Sequence, residues 1–183
     1  MNALDLLLSR QSQPRLQQPA PSGDVLNNIM RAALRAPDHA GLTPWQFVIC
    51  EGSDLDKLGE IFLNSSKARG GDEASLERAP KLPHRAPMVI VAATRYTENP
   101  KVPWIEQVES AACAVHAMQM AAVAQGYGGV WRTGSYAQCN VVKSALGIAE
   151  HDELIGFLYL GSLCFASKPK TEHSPNQYFR RLT

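Results

Sequence analysis

The sequence lacks the features that mark several large classes of protein. Its 183 residues contain no run of about 18 consecutive apolar residues, so no membrane-spanning helix is expected. The opening MNALDLLLSR is too short and too acidic for a signal peptide, and a cytoplasmic location is expected. The formal net charge is only +1, far from the basic field typical of nucleic-acid binding, so no nucleic-acid partner is expected.

Cysteine is also sparse, and its spacing argues against a metal site. The chain has four cysteines and five histidines, with no CxxC pair and no Cys/His pair at zinc-ligand spacing. No metal ligand is therefore predicted. The thiols of Cys50, Cys113, Cys139 and Cys164 are interpreted as core side chains in a reducing compartment.

What is present is the pattern of one α+β domain over residues 1–183. Apolar residues make up 45% of the chain, enough for a single core. Helical periodicity alternates with about four strand-like runs, WQFVICEG, PMVIVAATRYT, a short one in GYGGVWRTGS, and ELIGFLYLG. Because no clean βαβ order emerges, a central sheet wrapped by helices is predicted. The tail, residues 162–183, is expected to pack on another subunit.

Two stretches carry guanidinium groups beside other polar or aromatic side chains. SRQSQPR (residues 9–15) places Arg10 near Gln11 and Ser12, and arginine forks and a hydroxyl suit phosphate oxygens. RAPDHAGLTPWQF (residues 35–47) crowds Arg35, His39 and a tryptophan into one elbow. Taken alone, each stretch is better explained without a ligand, the first as a solvated basic loop and the second as a helix stop before a buried tryptophan.

The third stretch is the glycine-rich GYGGVWRTG, residues 126–134. Its glycines allow backbone amides to approach a ligand, while Trp131 offers a planar face and Arg132 a fork for an anion. A strand with a glycine-rich entry is the simpler alternative. The three stretches together suit a flat, anionic, partly aromatic ligand such as flavin mononucleotide (FMN). Neither a GxSxG motif nor a GxxxxGK[ST] loop supports a hydrolase or a nucleoside triphosphatase.

At these residues the chain resembles the nitroreductase family of FMN-dependent NAD(P)H oxidoreductases, and within it a compact YdjA-like subgroup. The likeness covers almost the whole length. The stretches that carry it are ALDLLLSR, RAPDH…PW, RAPMVIVAA, KVPWIEQVESAACAVHAMQMAAVAQGYGGVWRTG and DELIGFLYLG.

The resemblance implies an α+β fold with a mostly antiparallel sheet. It also implies an obligate homodimer, with the C-terminal tail exchanged and one FMN per subunit at the interface. The residues implied to bind the flavin of their own subunit are Arg10, Gln11, Ser12, Trp131, Arg132 and Thr133. Arg35 and His39 would reach the flavin of the other subunit.

The implied reaction is ping-pong transfer of electrons from NAD(P)H through FMN to a nitroaromatic, a quinone or a similar electron-poor small molecule. NAD(P)H would bind only transiently. Because the cofactor itself accepts the hydride, no side chain is required as a general base. His39 is the only catalytic candidate, for proton supply, and a role limited to packing against the ring or hydrogen-bonding to it is the favoured alternative. Arg35 and His39 are the candidates for the flavin N1–O2 edge.

One departure from the family pattern concerns the first motif, which is usually Arg-Arg-Ser and here is Arg-Gln-Ser. The loss of charge at Gln11 predicts weaker FMN binding, unless Arg132, Lys168 or Lys170 compensates.

Three alternatives remain open from the sequence. They are a flavin reductase whose acceptor is not a nitro compound, a non-catalytic flavin-binding or interaction module, and a structural α+β domain.

Overall fold

A five-stranded sheet lies at the centre of the computed structural model, which describes residues 2–165, 171 and 173–182. The strands are β1 (Leu16–Gln17), β2 (Trp45–Glu51), β3 (Met88–Thr94), β4 (Gly128–Arg132) and β5 (Leu154–Leu163). The helices are α1 (Ala3–Ser9), α2 (Gly23–Ala33), α3 (Asp54–Ala68), α4 (Glu73–Arg78), α5 (Trp104–Ala124) and α6 (Asn140–Ala145). Short 3-10 turns cover His39–Gly41, Ala79–Lys81, Pro83–Arg85 and Pro175–Gln177.

The strands lie in the order β2–β3–β5–β4, and every pair is antiparallel. Within the described residues β4 pairs with β5 alone, so β4 is an edge strand. The predicted sheet of four antiparallel strands wrapped by helices is confirmed. A fifth strand, β1, was not predicted. It pairs with the end of β5, Leu16 opposite Leu163, inside a proline-rich stretch that reads as a loop.

Both faces of the sheet are covered by helices, which explains why β3 is buried throughout and apolar from Met88 to Ala93. Its side chains alternate between two clusters, as the period of a strand requires. The residues packed with α2 and α5 are Met88, Ile90 and Ala92, and those packed with α3 and α6 are Val89, Val91 and Ala93. The sheet therefore separates an α5 face from an α3 face, and this division positions the site residues.

The long helix α5 has the bounds that its flanking residues predict. Pro103 precedes its first residue, and the chain leaves the helix through Gln125 and Gly126, the latter at φ +87°. Small side chains on its inner face, including Ala111 and Ala114, are fully buried and allow close packing on the sheet. The helix thus links the two ends of the molecule with one rigid element.

The expectation that all four cysteines lie in the core is wrong in part. Of the four cysteines expected in the core, Cys50 and Cys139 are buried, but Cys113 is exposed and Cys164 is half-buried. Burial raises the pKa of the Cys50 thiol to about 11, so that group stays protonated. The helix α1 begins with a capping box between Asn2 and Asp5 and buries none of its residues.

Three further features bear on the sequence predictions. No helix in the part of the chain described is long and apolar enough to cross a membrane. The tail side chains of Tyr178 and Phe179 are 69% and 79% exposed, and exchange of the tail with a partner stays a prediction. Lys168 and Lys170, considered as substitutes for the missing charge at Gln11, lie outside the described residues.

Candidate functional site

The Arg10 loop lies against the beginning of the edge strand β4. Arg10 follows α1 directly, and its side chain donates a weak hydrogen bond of 3.4 Å to Ser12 Oγ. The backbone N–H of Gln13 donates to the carbonyl of Gly129 at 3.0 Å and ties the loop to β4. The first sequence motif is therefore held beside the glycine-rich third motif.

A cavity of about 300 Å³ opens at this junction, and we name it the Arg10 cavity. Its lining residues are Ser9, Arg10, Gln11, Gln13, Val123, Gly126, Tyr127 and Leu163. The guanidinium of Arg10 and the amide of Gln11 meet a largely apolar wall from the end of α5. Such a cavity can hold a small anion at its polar side while the rest of the ligand extends along β4.

At the other end of β4, Trp131 and Arg132 point to opposite faces of the sheet. The indole of Trp131 packs on the α5 face and donates to the carbonyl of Ile155 at 3.0 Å. The guanidinium carbon of Arg132 lies 5.9 Å from the ring centroid of Tyr159, whose side chain packs on the α3 face. The tryptophan is thus a structural anchor within its own chain, and the arginine faces a cavity.

This second cavity has a volume of about 370 Å³, and we name it the Arg132 cavity. Its lining residues are Phe62, Leu82, Arg85, Arg132, Thr133, Gly134, Ser135, Tyr136, Phe157 and Tyr159. The Nε atom of Arg132 is buried and has no hydrogen-bond partner among the described residues. A buried donor without a partner costs roughly 1–3 kcal/mol, so a ligand that accepts from it would be stabilised.

The electrostatics of the Arg132 cavity favour acceptor groups. Burial raises the pKa of Tyr159 to about 12, and the nearby charges of Arg132 and Arg85 oppose that rise only in part. The hydroxyl of Tyr159 therefore stays neutral at ordinary pH. The cavity presents two guanidinium groups and several hydroxyl groups to any molecule that enters it.

The elbow of residues 35–47 is built around a carboxylate and a buried indole. Asp38 accepts from the backbone N–H groups of Leu42 at 3.0 Å and Thr43 at 2.8 Å. These bonds hold a turn in which Ala40 and Thr43 have positive φ values of 63° and 48°. Trp45 then enters β2 and is buried in the α5-face cluster. The predicted turn-rich elbow is confirmed.

The elbow packs on the first half of α5. Ser110 Oγ donates to the carbonyl of Pro37 at 2.5 Å, and His39 Nδ1 lies 2.7 Å from Glu106 Oε2. Arg35 is exposed just after α2. Both predicted elbow residues, Arg35 and His39, are therefore at the surface and accessible to a second molecule.

One chain does not bring the three predicted motifs together. Val123, near the end of α5, lines the Arg10 cavity, whereas the elbow contacts Glu106, near the start of the same helix. At 1.5 Å per residue these two positions are roughly 25 Å apart along the helix. The first motif is hydrogen-bonded to the third at β4, and the elbow is remote from the Arg10 cavity.

Sequence reasoning missed two side chains, Arg85 and Glu106. Arg85 ends a 3-10 turn just before β3 and lines the Arg132 cavity, far in sequence from Arg132 itself. Glu106 binds His39 across 67 positions in the sequence. For Arg85 the only available signal was the stretch HRAP (residues 84–87) before an apolar strand, because it places a cation beside the sheet.

Comparison with known proteins gives two concordant results. The profile of the nitroreductase family matches residues 7–162. The Escherichia coli (strain K12) protein named "Putative NAD(P)H nitroreductase YdjA" is 47% identical over 162 residues, which cover 88% of each chain.

Solved structures show the same fold. The nitroreductase-like family protein from Bacillus cereus superposes with a TM-score of 0.85 at 20% identity, covering 100% of this chain and 96% of that one. A nitroreductase with bound FMN from Bacteroides fragilis superposes with a TM-score of 0.75 at 22% identity, covering 100% of both chains.

Proposed function

The chain belongs to the nitroreductase family, and from that premise we propose that it is an FMN-dependent NAD(P)H oxidoreductase. The observation that carries the proposal is the pair of cavities with cationic side chains at the two ends of one edge strand. FMN has an anionic phosphate at one end and an acceptor-rich ring at the other. The two ends of β4 match these two requirements.

The length of β4 and the hydrogen-bond donors at its two ends support this assignment. Gly129, beside the Arg10 loop, and Thr133, at the far end of β4, are separated by roughly 13 Å at 3.3 Å per residue. Arg10, Gln11 and Ser12 would bind the phosphate and the ribityl chain. The partnerless Nε of Arg132 and the backbone beyond it, at Thr133, would donate to the ring.

When bound, FMN accepts a hydride from NAD(P)H and passes the electrons to an electron-poor acceptor. The chain itself binds and orients the cofactor. Gly134, at φ +74°, lets the backbone after β4 turn close to a ligand, as a non-glycine residue rarely would. His39, fixed by Glu106 through Nδ1, would offer Nε2 to a ligand or a proton.

We further propose that the active unit is a homodimer. The α1 leucines Leu4, Leu7 and Leu8 are 68%, 58% and 83% exposed, although a seven-residue helix is not stable without tertiary contacts. The elbow is too remote to serve the Arg10 cavity of its own chain. Arg35 and His39 of one subunit would therefore wall the flavin site of its partner.

The test is the visible absorption spectrum of the protein purified without added cofactor, before and after anaerobic addition of NADH and then NADPH. Yellow protein that bleaches with one donor supports the proposal and identifies the donor. Addition of nitroaromatics, quinones and enones then distinguishes a nitroreductase from a flavin reductase with another acceptor.

Two other outcomes would contradict the proposal. Protein that stays colourless and is not reconstituted by FMN is not a flavoprotein. Yellow protein that neither donor reduces would instead be a flavin-binding module without turnover, an alternative to which the absence of charge at Gln11 gives some weight.

A further inference from the structure

Arg85 enters the Arg132 cavity from an element unrelated to β4. It ends the turn Pro83–Arg85, directly before Ala86 and the start of β3, and it is half-buried. The backbone on both sides of it is fixed, since Pro83 and Ala86 are buried. The direction from which its guanidinium approaches the cavity is therefore set by the fold.

The two guanidinium groups of this cavity form no ion pair with any residue that the structure describes. Within the described residues, the ion pairs involve His39, Lys57, Lys81 and His84, and neither Arg85 nor Arg132. The side chains that line the cavity include no carboxylate. Holding two like charges near each other beside Phe62 and Phe157 is unfavourable unless an anionic or acceptor-rich ligand compensates them.

We propose that Arg85, together with Arg132, supplies the positive charge that stabilises the more negative, reduced form of the flavin. The inference rests on the proposed function, and it assigns to Arg85 a role for which the sequence offered only Arg35 and His39. Those two residues lie at the elbow, whereas Arg85 shares a cavity with Thr133 and Gly134 of the same chain.

The physical reason is that reduction adds negative charge to the bound cofactor. A fixed cation nearby favours the more negative of two states, and an opposite charge within about 4–6 Å shifts such an equilibrium by roughly 1–3 powers of ten. Arg85 is a turn residue outside the sheet hydrogen bonds, so its side chain can be changed without removing a strand contact. Its effect on FMN can thus be measured separately from folding.

The experiment measures the affinity of the protein for oxidised FMN and, anaerobically, for reduced FMN, and compares the midpoint potential of the bound cofactor. Wild type is compared with Arg85→Ala, Arg85→Lys and the control Arg78→Ala. Arg78 is exposed at the end of α4 and does not line the cavity. The control therefore removes the same charge from the neighbouring chain segment.

We expect Arg85→Ala to lower the affinity for reduced FMN at least tenfold more than the affinity for oxidised FMN. For a two-electron couple this lowers the midpoint potential by about 30 mV or more. Arg85→Lys should retain most of the wild-type potential because it keeps the charge, and Arg78→Ala should not change it.

Equal loss of affinity for both forms in Arg85→Ala, or an unchanged potential, would overturn the inference while leaving the proposed function intact. If wild type itself binds no FMN, the proposed function fails first. If Arg85→Ala does not fold, Arg85→Gln and Arg85→Lys decide the question, since a potential that is the same in both variants shows that charge is not the cause.

Discussion

The imidazole of His39 lies against the carboxylate of Glu106, with 2.7 Å between Nδ1 and Oε2. The contact joins the elbow to the first part of α5. Both side chains are about half exposed, at 56% and 42%, so water and salt screen their attraction. The pair therefore orients a ring more than it stabilises the fold.

Glu106→Ala should loosen the elbow, which Ser110 still ties to α5 at Pro37, with little effect on global stability. An exposed pair contributes about 1 kcal/mol or less, so the midpoint of urea unfolding should shift only slightly. Amide hydrogen exchange over residues 38–43 should become faster because His39 no longer fixes the turn to α5. Glu109→Ala, an exposed glutamate one turn further along α5, is the matched control. Equal exchange in the two variants would show that the pair does not order the elbow.

Arg10→Ala should weaken the binding of oxidised FMN. A charge-assisted hydrogen bond contributes roughly 1.5–3 kcal/mol, which corresponds to about a tenfold to hundredfold rise in Kd. The measurement is a fluorescence titration of the apoprotein with FMN. Arg15→Ala removes the same charge from an exposed position that does not line the Arg10 cavity, and its Kd should match wild type. If both variants bind like wild type, Arg10 does not hold the phosphate.

Gln11→Arg should have the opposite effect. Gln11 lines the Arg10 cavity, and an arginine there adds a second guanidinium beside the first. We expect FMN affinity to rise up to about tenfold and to fall more steeply with salt, because a charged contact replaces a neutral one. Titrations at low and high ionic strength test both points. A salt dependence identical to wild type would place this side chain away from the phosphate.

The parts of the fold that sequence predicted are those with a strong period. β3 is apolar from Met88 to Ala93 because both sheet faces are covered, and α5 is bounded by Pro103 and Gly126. β1 escaped prediction because two residues, Leu16 and Gln17, carry no period. Its position is set by pairing with the distant end of β5.

Sequence reasoning reached only those candidate site residues that form short local patterns. The motifs around Arg10 and Trp131 were recognisable because each is a short local pattern. Arg85 and Glu106 act through contacts with residues far along the chain, and no local pattern reports those contacts. The bond from the Trp131 indole to the carbonyl of Ile155 likewise had no local signal, and contact of Trp131 with the flavin stays a prediction.

The exposed leucines of α1 lead to a prediction about assembly. Replacing both Leu4 and Leu8 by serine should raise the dissociation constant of the homodimer at least about a hundredfold, since each buried leucine contributes roughly 1.5–3 kcal/mol. Sedimentation velocity over a dilution series measures this constant. Val141→Ser, an exposed apolar residue on α6 at the α3 face, is the control and should leave it unchanged. Equal dissociation of the two variants would place α1 outside the interface.

Gly156 in β5 leaves the space in which the Trp131 indole lies. Its φ is +139°, and a Cβ atom there would lie 2.5 Å from the Arg132 carbonyl oxygen and 2.6 Å from Trp131 Nε1. Gly156→Ala should therefore both strain the backbone and displace the indole from its bond to Ile155. We expect a loss of at least about 2 kcal/mol in the free energy of unfolding, measured by urea denaturation.

The control for Gly156→Ala separates backbone strain from the clash with the tryptophan. Gly147 also has a positive φ, +70°, but a Cβ atom there meets nothing within 4 Å in the described part of the chain. Gly147→Ala should cost only about 1 kcal/mol and leave tryptophan fluorescence unchanged. Gly156→Ala should shift that emission as Trp131 moves. If the two variants lose equal stability with identical spectra, the ring tolerates the added methyl group, and the end of β4 is more adaptable than its packing implies.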